Sequence, residues 1–508
     1  MNLILRTRQL LDRLKREPIG AALVSLAGDS AVYLTGGVLI GLGNVILVPL
    51  YTRCLAPREF GVYALVEVTV LLVIAVTALK LDVSYLKWFA DLDPAQRGEL
   101  LGSTLLTGLA ASALGGLVLS LVVASHVGEL WLHASGRGYA WILLPIVVLE
   151  NLQVLFLTDL RARRRAVSYS ATAIIRLAGM VAASYYLLAI RQMGLPGLFL
   201  GRLVGDAAAF VFLGIIGLRS VVFKISPSLL RPMLRFGLPL IWSVFTVMFQ
   251  DASGRYFLSR YGTLEQVGLL GAAIKIGAVF QMLVSVPFGV AWGGILFQIV
   301  KERDAQVIYS KIFGYIYVLA LGVALVLAIF APTLFRIFTA PAYYSAAAIL
   351  PLVLLVRATS VIEQPASTGV YLAGRTDLLA VSYTLALGMN LLLLRLLVPH
   401  FGLLGVGCAW LLGSGIVPVL FLIFGQRSYR LSFRPKLLLV PILLWIAVLL
   451  LRPSVDSLWP DHPFLSQSGL SLAVLLAIGV LLSSDFRSLR RQLHTRNPPS
   501  PVLEVSSR

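Results

Sequence analysis

The stretch TVMFQDASGRYFLSRYG, residues 246–262, sets Asp251 and Arg255 four residues apart in an otherwise apolar run. Four residues make about one helical turn, so on a helix the two share a face. Other charged side chains with similar surroundings are Glu67, Arg176, Arg202, Asp206, Lys275, Arg357, Glu363 and Arg395. A charge at the centre of a bilayer costs ~2.5–3.5 kcal/mol on insertion scales, so charges kept there serve pairing, ion movement or contact with a charged ligand. Arg202 and Asp206 repeat the four-residue spacing, so each pair either neutralises itself and fixes helix packing or serves a charged ligand or ion. Glu67 and Glu363 fit either hydrogen-bonded helix contacts or a proton or sodium role. Arg395, near the end of its apolar run, is expected to snorkel. Arg176, Lys275 and Arg357 have no carboxylate three or four residues away. Each is expected roughly 12–18 Å into its span by helical rise, facing water or an anion. Such residues predict a water-filled cationic cavity suited to phosphate or another acidic cargo.

Other chemistry finds little support. His126, His133, His400, His462 and His494 have no ligand spacing, and two cysteines, Cys54 and Cys408, make neither a disulfide framework nor a zinc site. No nucleophile–base pair and no phosphate-binding loop stands out. The expectation is a protein without metal or cofactor and without catalysis, driven by an ion gradient or by its cargo's own gradient.

The elements that hold these residues are legible in the composition. Of 508 residues, 58% are hydrophobic and only 13% charged, and the mean hydropathy is +0.90. Soluble domains carry about 25% charged residues, so the chain is an integral membrane protein. Apolar runs near the ~20 residues needed to span a bilayer number fourteen, from 29–51 to 465–483. The eighth (267–298) and tenth (344–373) are long and contain Pro287 and Pro365, which predicts kinks there. The thirteenth, 437–451, is short. With the amino terminus cytoplasmic, 29 of the 42 Lys and Arg fall in cytoplasmic segments, 7 in outer loops and 6 within spans. This alternation predicts both termini in the cytoplasm. It also accounts for the net charge of +19 without a nucleic-acid partner.

The chain echoes itself at a spacing near 207. GLPGLFLGRLVG (194–205) aligns with GLLGVGCAWLLG (402–413), and Gly194, Gly197 and Gly205 recur as Gly402, Gly405 and Gly413. Arg53 and Gly61 recur as Arg260 and Gly268. The shift is an even number of spans, so the halves have parallel topology and enclose a cavity that rocking exposes to each side in turn. The expected all-α organisation is a cytoplasmic amphipathic segment (1–28), a six-helix bundle (29–219), a linker (220–235), a second six-helix bundle (236–425), two extra spans (437–483) and a cytoplasmic tail (484–508).

NVILVPLYTRCLAPREFGVYAL (44–65) resembles the end of the first span and start of the second in the polysaccharide (O-antigen type) flippases, through Leu55, Pro57, Glu59, Phe60, Gly61 and Tyr63. These belong to the multidrug/oligosaccharidyl-lipid/polysaccharide exporter superfamily. Residues 246–262 are similar to that family's seventh span, with an Asp and a base ahead of a Gly-rich turn and a further base in span eight: Asp251, Arg255, Gly268 and Lys275. Leu269 departs from the Tyr common after that glycine. The resemblance implies a flippase of the cytoplasmic (inner) membrane that carries lipid-linked, typically undecaprenyl-pyrophosphate, oligosaccharides for surface polysaccharides such as lipopolysaccharide or exopolysaccharide. Arg176, Arg255, Lys275 and Arg357 are then expected to touch the head group. Asp206, Asp251, Glu363 and Arg202 are expected to pair charges or couple an ion. Expected partners are the lipid cargo, membrane lipids, a glycan polymerase and glycosyltransferases.

A drug/cation antiporter of the same superfamily would want a net acidic cavity, against six basic and about five acidic residues expected here. A lipid II flippase is closer, and no feature of the sequence excludes it. A membrane polymerase or ligase is disfavoured by the absence of a long outer loop.

Overall fold

The computed structural model describes residues 43, 45–132, 136–300, 305–428, 435–458 and 463–495. The expected segment 1–28, most of the expected first span and residues 496–508 of the tail lie outside these. Among the described residues every regular element is helical. Among the same residues eleven helices are long and apolar enough to cross a membrane, or twelve when one bent pair is joined into a span.

Local chemistry sets the helix ends. The first helices are α1 (Val48–Cys54) and α2 (Pro57–Thr77). Pro57 stands in the first turn of α2, where its missing N–H costs nothing, and the Ala56 N–H donates to Glu59 Oε2 at 3.0 Å. An amphipathic α3 (Leu81–Phe89) leads into α4 (Pro94–Ala124) and a short α5 (His126–Leu132). Helices α6 (Ala140–Ala162), α7 (Ala166–Ser184) and α8 (Gly194–Gly217) complete the first bundle. There α4 packs on α6, α7 on α8, α8 on α6 and α2 on α4.

The second bundle starts with α9 (Pro227–Tyr261), whose first turns lie inside the stretch expected as a linker. These turns are not loose: Met233 is buried in one cluster with Leu81, Tyr85 and Leu152 of the first bundle. Then come α10 (Leu264–Phe280), capped by Thr263, and α11 (Val286–Ile299), separated by a π-helical turn at Gln281–Ser285 just before Pro287. They are followed by α12 (Ala305–Ile329), α13 (Ala331–Phe338), α14 (Leu350–Ala366) and α15 (Thr368–Leu372). At Pro365 the helical run is interrupted at Ser367, between α14 and α15, while the larger bend lies earlier: a 55° break separates the 3₁₀ segment Pro341–Ala348 from the helical stretch Leu350–Leu372. Pro351 stands in the first turn after that break, where a proline starts a helix rather than kinking one.

The next helical run, α16 (Thr376–Ser428), has 53 residues. Straight, it would be about 80 Å long, more than twice the ~30 Å hydrocarbon thickness. It reverses at Gly402, whose φ is +51°. A Cβ on Gly413 would lie 2.8 Å from Asn390 Cβ, although the two residues would be about 35 Å apart on a straight helix. The run is therefore a hairpin of two spans. The amino-terminal bundle has its counterpart at Gly194, with φ +61°, where α7 and α8 turn. The two glycines that the internal repeat aligns do the same conformational work. Finally α17 (Pro435–Leu458) and α18 (Pro463–Thr495) pack on α12, with Trp445 Nε1 donating to Leu321 O at 3.1 Å.

The bundles meet where α2 crosses α10 and α9. Near the α2 and α10 starts the seam is tight: Tyr343 OH donates to Leu55 O at 2.9 Å, and Ala340 N to Thr52 Oγ1 at 3.2 Å. Phe60, Tyr63, Val267 and Tyr343 share one buried cluster there.

Candidate functional site

Below that seam lie three adjoining cavities. Glu67 on α2 and Lys275 on α10 sit six and seven residues past Gly61 and Gly268, about 10 Å deeper, and they form the wall between the first two. The first cavity, ≈ 240 Å³, lies in the amino-terminal bundle and includes Glu150, Arg176 and Arg202. The second, ≈ 190 Å³, lies between the bundles and includes Met248, Asp251 and Arg255. Met248 and Asp251 also line the third, ≈ 250 Å³, in the carboxy-terminal bundle with Arg357, Glu363, Tyr383 and Trp410. One chain of polar walls therefore crosses the molecule from α8 to α16. Nearly all the charges singled out in the sequence border it.

Their pairing differs from what spacing suggests. Asp251 and Arg255 do not pair along α9: Asp251 Oδ2 instead meets Arg357 Nη2 of α14 at 3.5 Å. Arg202 and Asp206 do not pair along α8. Arg202 Nη2 meets Glu150 Oε1 of α6 at 2.8 Å, while Asp206 Oδ1 takes Arg176 Nε of α7 at 2.6 Å. Arg176 also reaches Glu150 Oε1 through Nη2 at 2.5 Å. Lys275 Nζ lies 3.0 Å from Glu67 Oε1 and 5.2 Å from the Tyr63 ring centroid. Arg176, Lys275 and Arg357, expected without partners, all have one on another helix. The physical reason is general: in a medium without water a cation binds whichever carboxylate reaches it in space, and sequence spacing reports only the face of its own helix.

Arg255 is the exception. It is 6% exposed, borders the cavity between the bundles, and among the described residues has no ion pair; its Nε has no hydrogen-bond partner. Arg395, expected to snorkel, is exposed, with its guanidinium 5.3 Å from the Tyr261 ring centroid. Glu363 accepts from the Tyr383 hydroxyl, and Glu67 accepts from Tyr63 OH at 2.6 Å. Glu67 is thus a fastening across the seam, joining α2 to α10.

Glu150 was not among the charges picked from the sequence. It lies in the apolar stretch VVLENLQV of span four, so the same criterion, a charge inside an apolar run, selects it. Two neighbours on α6 hold its surroundings: Gln153 Nε2 donates to Asp206 O at 2.9 Å, and Asn151 Nδ2 to Thr77 Oγ1 at 3.1 Å. With Glu150 counted, five carboxylates (Glu67, Glu150, Asp206, Asp251, Glu363) stand against five bases (Arg176, Arg202, Arg255, Lys275, Arg357) around the cavities. Among the described residues the cationic cavity expected from sequence is formally neutral with these ten groups ionised, and Arg255 is the base there without an ion pair.

Among solved structures the chain is similar to the lipid II flippase MurJ in an inward closed conformation: TM-score 0.70, 14% identity, with 91% of this chain and 99% of that chain covered. It is also similar to the MATE multidrug transporter DinF-BH in complex with R6G, at TM-score 0.58 and 16% identity over 80% of this chain and 97% of that one. A multidrug resistance MATE family transporter of the MOP superfamily, in an inward-facing conformation, matches at TM-score 0.55 and 15% identity, over 78% of this chain and 94% of that one. At these identities the likeness is one of fold: two bundles of membrane-spanning helices packed side by side. No curated protein matches the chain in sequence. The family model described as polysaccharide biosynthesis protein matches residues 26–299, more than half of the chain and reaching from the first spans through the Asp251–Lys275 region. This protein belongs to that polysaccharide biosynthesis family.

Proposed function

We propose that this protein is a flippase that carries a polyprenyl-diphosphate-linked oligosaccharide from the inner to the outer leaflet of the cytoplasmic membrane, by alternating access and without covalent chemistry. The observation that carries the reading is the placement of Arg255: a buried guanidinium without an ion pair, at a cavity walled by both bundles. A diphosphate is the kind of group that such a guanidinium binds well, through bidentate charge-assisted hydrogen bonds. The remaining walls offer carboxylates, Gln250, Ser360 and Ser414 for sugar hydroxyls, while the polyprenyl tail stays in lipid. A cavity with formally balanced charge suits a head group that is anionic at one end and neutral at the other better than it suits a cationic drug.

Each cavity is smaller than the ~300–1,000 Å³ of common ligand sites, so loading requires the bundles to part. The bundles at 29–219 and 236–425 are the moving bodies in this reading, with 437–483 appended to the second. Positive-inside counting puts the tight seam near Arg53 and Arg260 on the outer side. The cavities would then load from the cytoplasm, where both termini lie. The family membership supports a role in surface glycan assembly, beside glycosyltransferases that build the cargo and a polymerase that consumes it.

The test is a proteoliposome assay with a fluorescent polyprenyl-diphosphate oligosaccharide whose label is quenched only in the outer leaflet. The wild type should raise the flipping rate and Arg255→Ala should lose at least tenfold of it; equal rates with and without protein would end the proposal. Lipid II as cargo is the second reading, favoured by the 91% coverage and TM-score of 0.70 against a lipid II flippase. Competition of the two lipids in the same vesicles separates the readings.

A further inference from the structure

Two buried carboxyls in the amino-terminal bundle share one guanidinium edge. On Arg176, Nε and Nη2 are adjacent donors that ordinarily grip both oxygens of a single carboxylate. Here Nε goes to Asp206 Oδ1 at 2.6 Å and Nη2 to Glu150 Oε1 at 2.5 Å. Asp206 Oδ1 and Glu150 Oε1 therefore sit side by side on one guanidinium edge, each taking one of its two donors. Carboxylates this close resist ionising together. The second oxygen, Asp206 Oδ2, is buried and has no donor, and the side chain is fully enclosed. Fully ionised, Asp206 would hold half of its charge on an oxygen with nothing to bond.

Other charges face this pair. Arg202 of α8 bonds Glu150 through Nε at 2.8 Å, and its Nη1 is buried without a partner. Across the cavity stand Glu67 and Tyr63 of α2, Lys275 of α10 and Tyr51 of α1. The charged side chains in the first turns of α4 are engaged elsewhere, Arg97 with Phe89 O and Glu99 with Lys224. With both carboxyls ionised, the quartet of Glu150, Arg176, Arg202 and Asp206 has no net charge. With one proton held between them it carries +1, and Arg176, 31% exposed in its side chain, presents that charge to the cavity.

We infer that Glu150 and Asp206 together bind one proton, and that this proton is taken up with the anionic diphosphate end of the cargo. The second half of this rests on the flippase reading above; the first half does not. A proton from cavity water forms the O–H of one carboxyl, which donates to the other. The quartet then attracts an anion, and by reciprocity the anion favours the proton. Release of the diphosphate on the far side lets the proton leave.

The test is infrared difference spectroscopy of the full chain in lipid, titrated from acidic to alkaline pH. The wild type should show a protonated-carboxyl stretch that disappears as pH rises, is missing in Asp206→Asn and in Glu150→Gln, and shifts when aspartate carries carboxyl-¹³C. The isotope arm needs no variant to fold. Inorganic pyrophosphate should move the midpoint upward, and between the free and the pyrophosphate-bound midpoints its affinity should fall by up to about tenfold per pH unit, the slope for one linked proton. A titrating band insensitive to both variants and to aspartate labelling overturns the proton pair. Pyrophosphate bound with no midpoint shift overturns the linkage. No pyrophosphate binding beside an intact, Asp206-dependent band counts against the diphosphate reading of the cargo while the proton pair stands.

Discussion

Gly61 and Gly268 pack reciprocally across the seam between the two bundles. A Cβ on Gly61 would lie 1.9 Å from Leu264 O and 3.2 Å from Gly268 N, and one on Gly268 would lie 1.9 Å from Pro57 O and 3.0 Å from Gly61 N. Positions 57 and 61 correspond to 264 and 268 by the repeat spacing, so the contact is isologous, each glycine meeting the partner's first turn. Only a missing side chain lets the backbones of α2 and α10 approach this closely. Because the obstructing atoms are backbone carbonyls, no rotamer change relieves the clash. Gly61→Ala and Gly268→Ala should each destabilise the closed seam by about 1–3 kcal/mol. Gly271→Ala, whose Cβ would meet Ala64 Cβ at 3.1 Å, should be milder. Thermal unfolding of the three variants in detergent checks the order, and equal midpoints would contradict it.

Arg255 supplies a contrast between stability and transport. Because it is buried without an ion pair, its removal deletes an uncompensated cation. Arg255→Met should therefore fold at least as stably as the wild type while flipping at least tenfold slower. A variant that lost stability and kept its rate would point to a purely structural guanidinium.

The Glu67–Lys275 pair behaves oppositely. Removing one partner of a buried ion pair leaves the other charge uncompensated, at a cost of about 3–5 kcal/mol. Lys275→Met and Glu67→Gln should each lower the unfolding midpoint, and the double variant should recover most of it. Flipping should not recover, since the cavity would have lost its polar wall. Additive stability losses in the double-variant cycle would mean that the 3.0 Å contact carries no coupling.

The hairpin turns offer a prediction free of charge. Gly402 and Gly194 hold φ of +51° and +61°, where an L side chain is strained by about 1–2 kcal/mol. Nothing lies within 4 Å of a Cβ at Gly194, while at Gly402 the nearest atom is Gln266 Nε2 at 3.1 Å. Gly194→Ala thus measures backbone strain alone, and Gly402→Ala should cost that and somewhat more. Unfolding midpoints identical to wild type in both would count against positive φ at these turns.

Much of this was legible in the residues. Apolar runs of membrane-spanning length are local properties, because each must satisfy its own backbone inside the helix, and so the all-α membrane class follows from composition and run length alone. The repeat was legible because glycines at 61, 194, 268 and 402 meet backbone demands that only glycine satisfies, and those demands recur with the fold. The charges were legible as anomalies in apolar runs, Glu150 included.

What each charge is paired with was settled only in three dimensions. Spacing along a helix joins Asp251 to Arg255 and Arg202 to Asp206; the folded chain joins Asp251 to Arg357 and Arg176 to both Glu150 and Asp206. A span exposes each charge to several neighbouring helices, and without water the nearest opposite charge in space wins regardless of its distance along the chain. The sequence by itself determined that ionised groups lie within the membrane; the packing of α2, α6 to α10 and α14 decided which of them neutralise one another, and that Arg255 stays unspent at the seam.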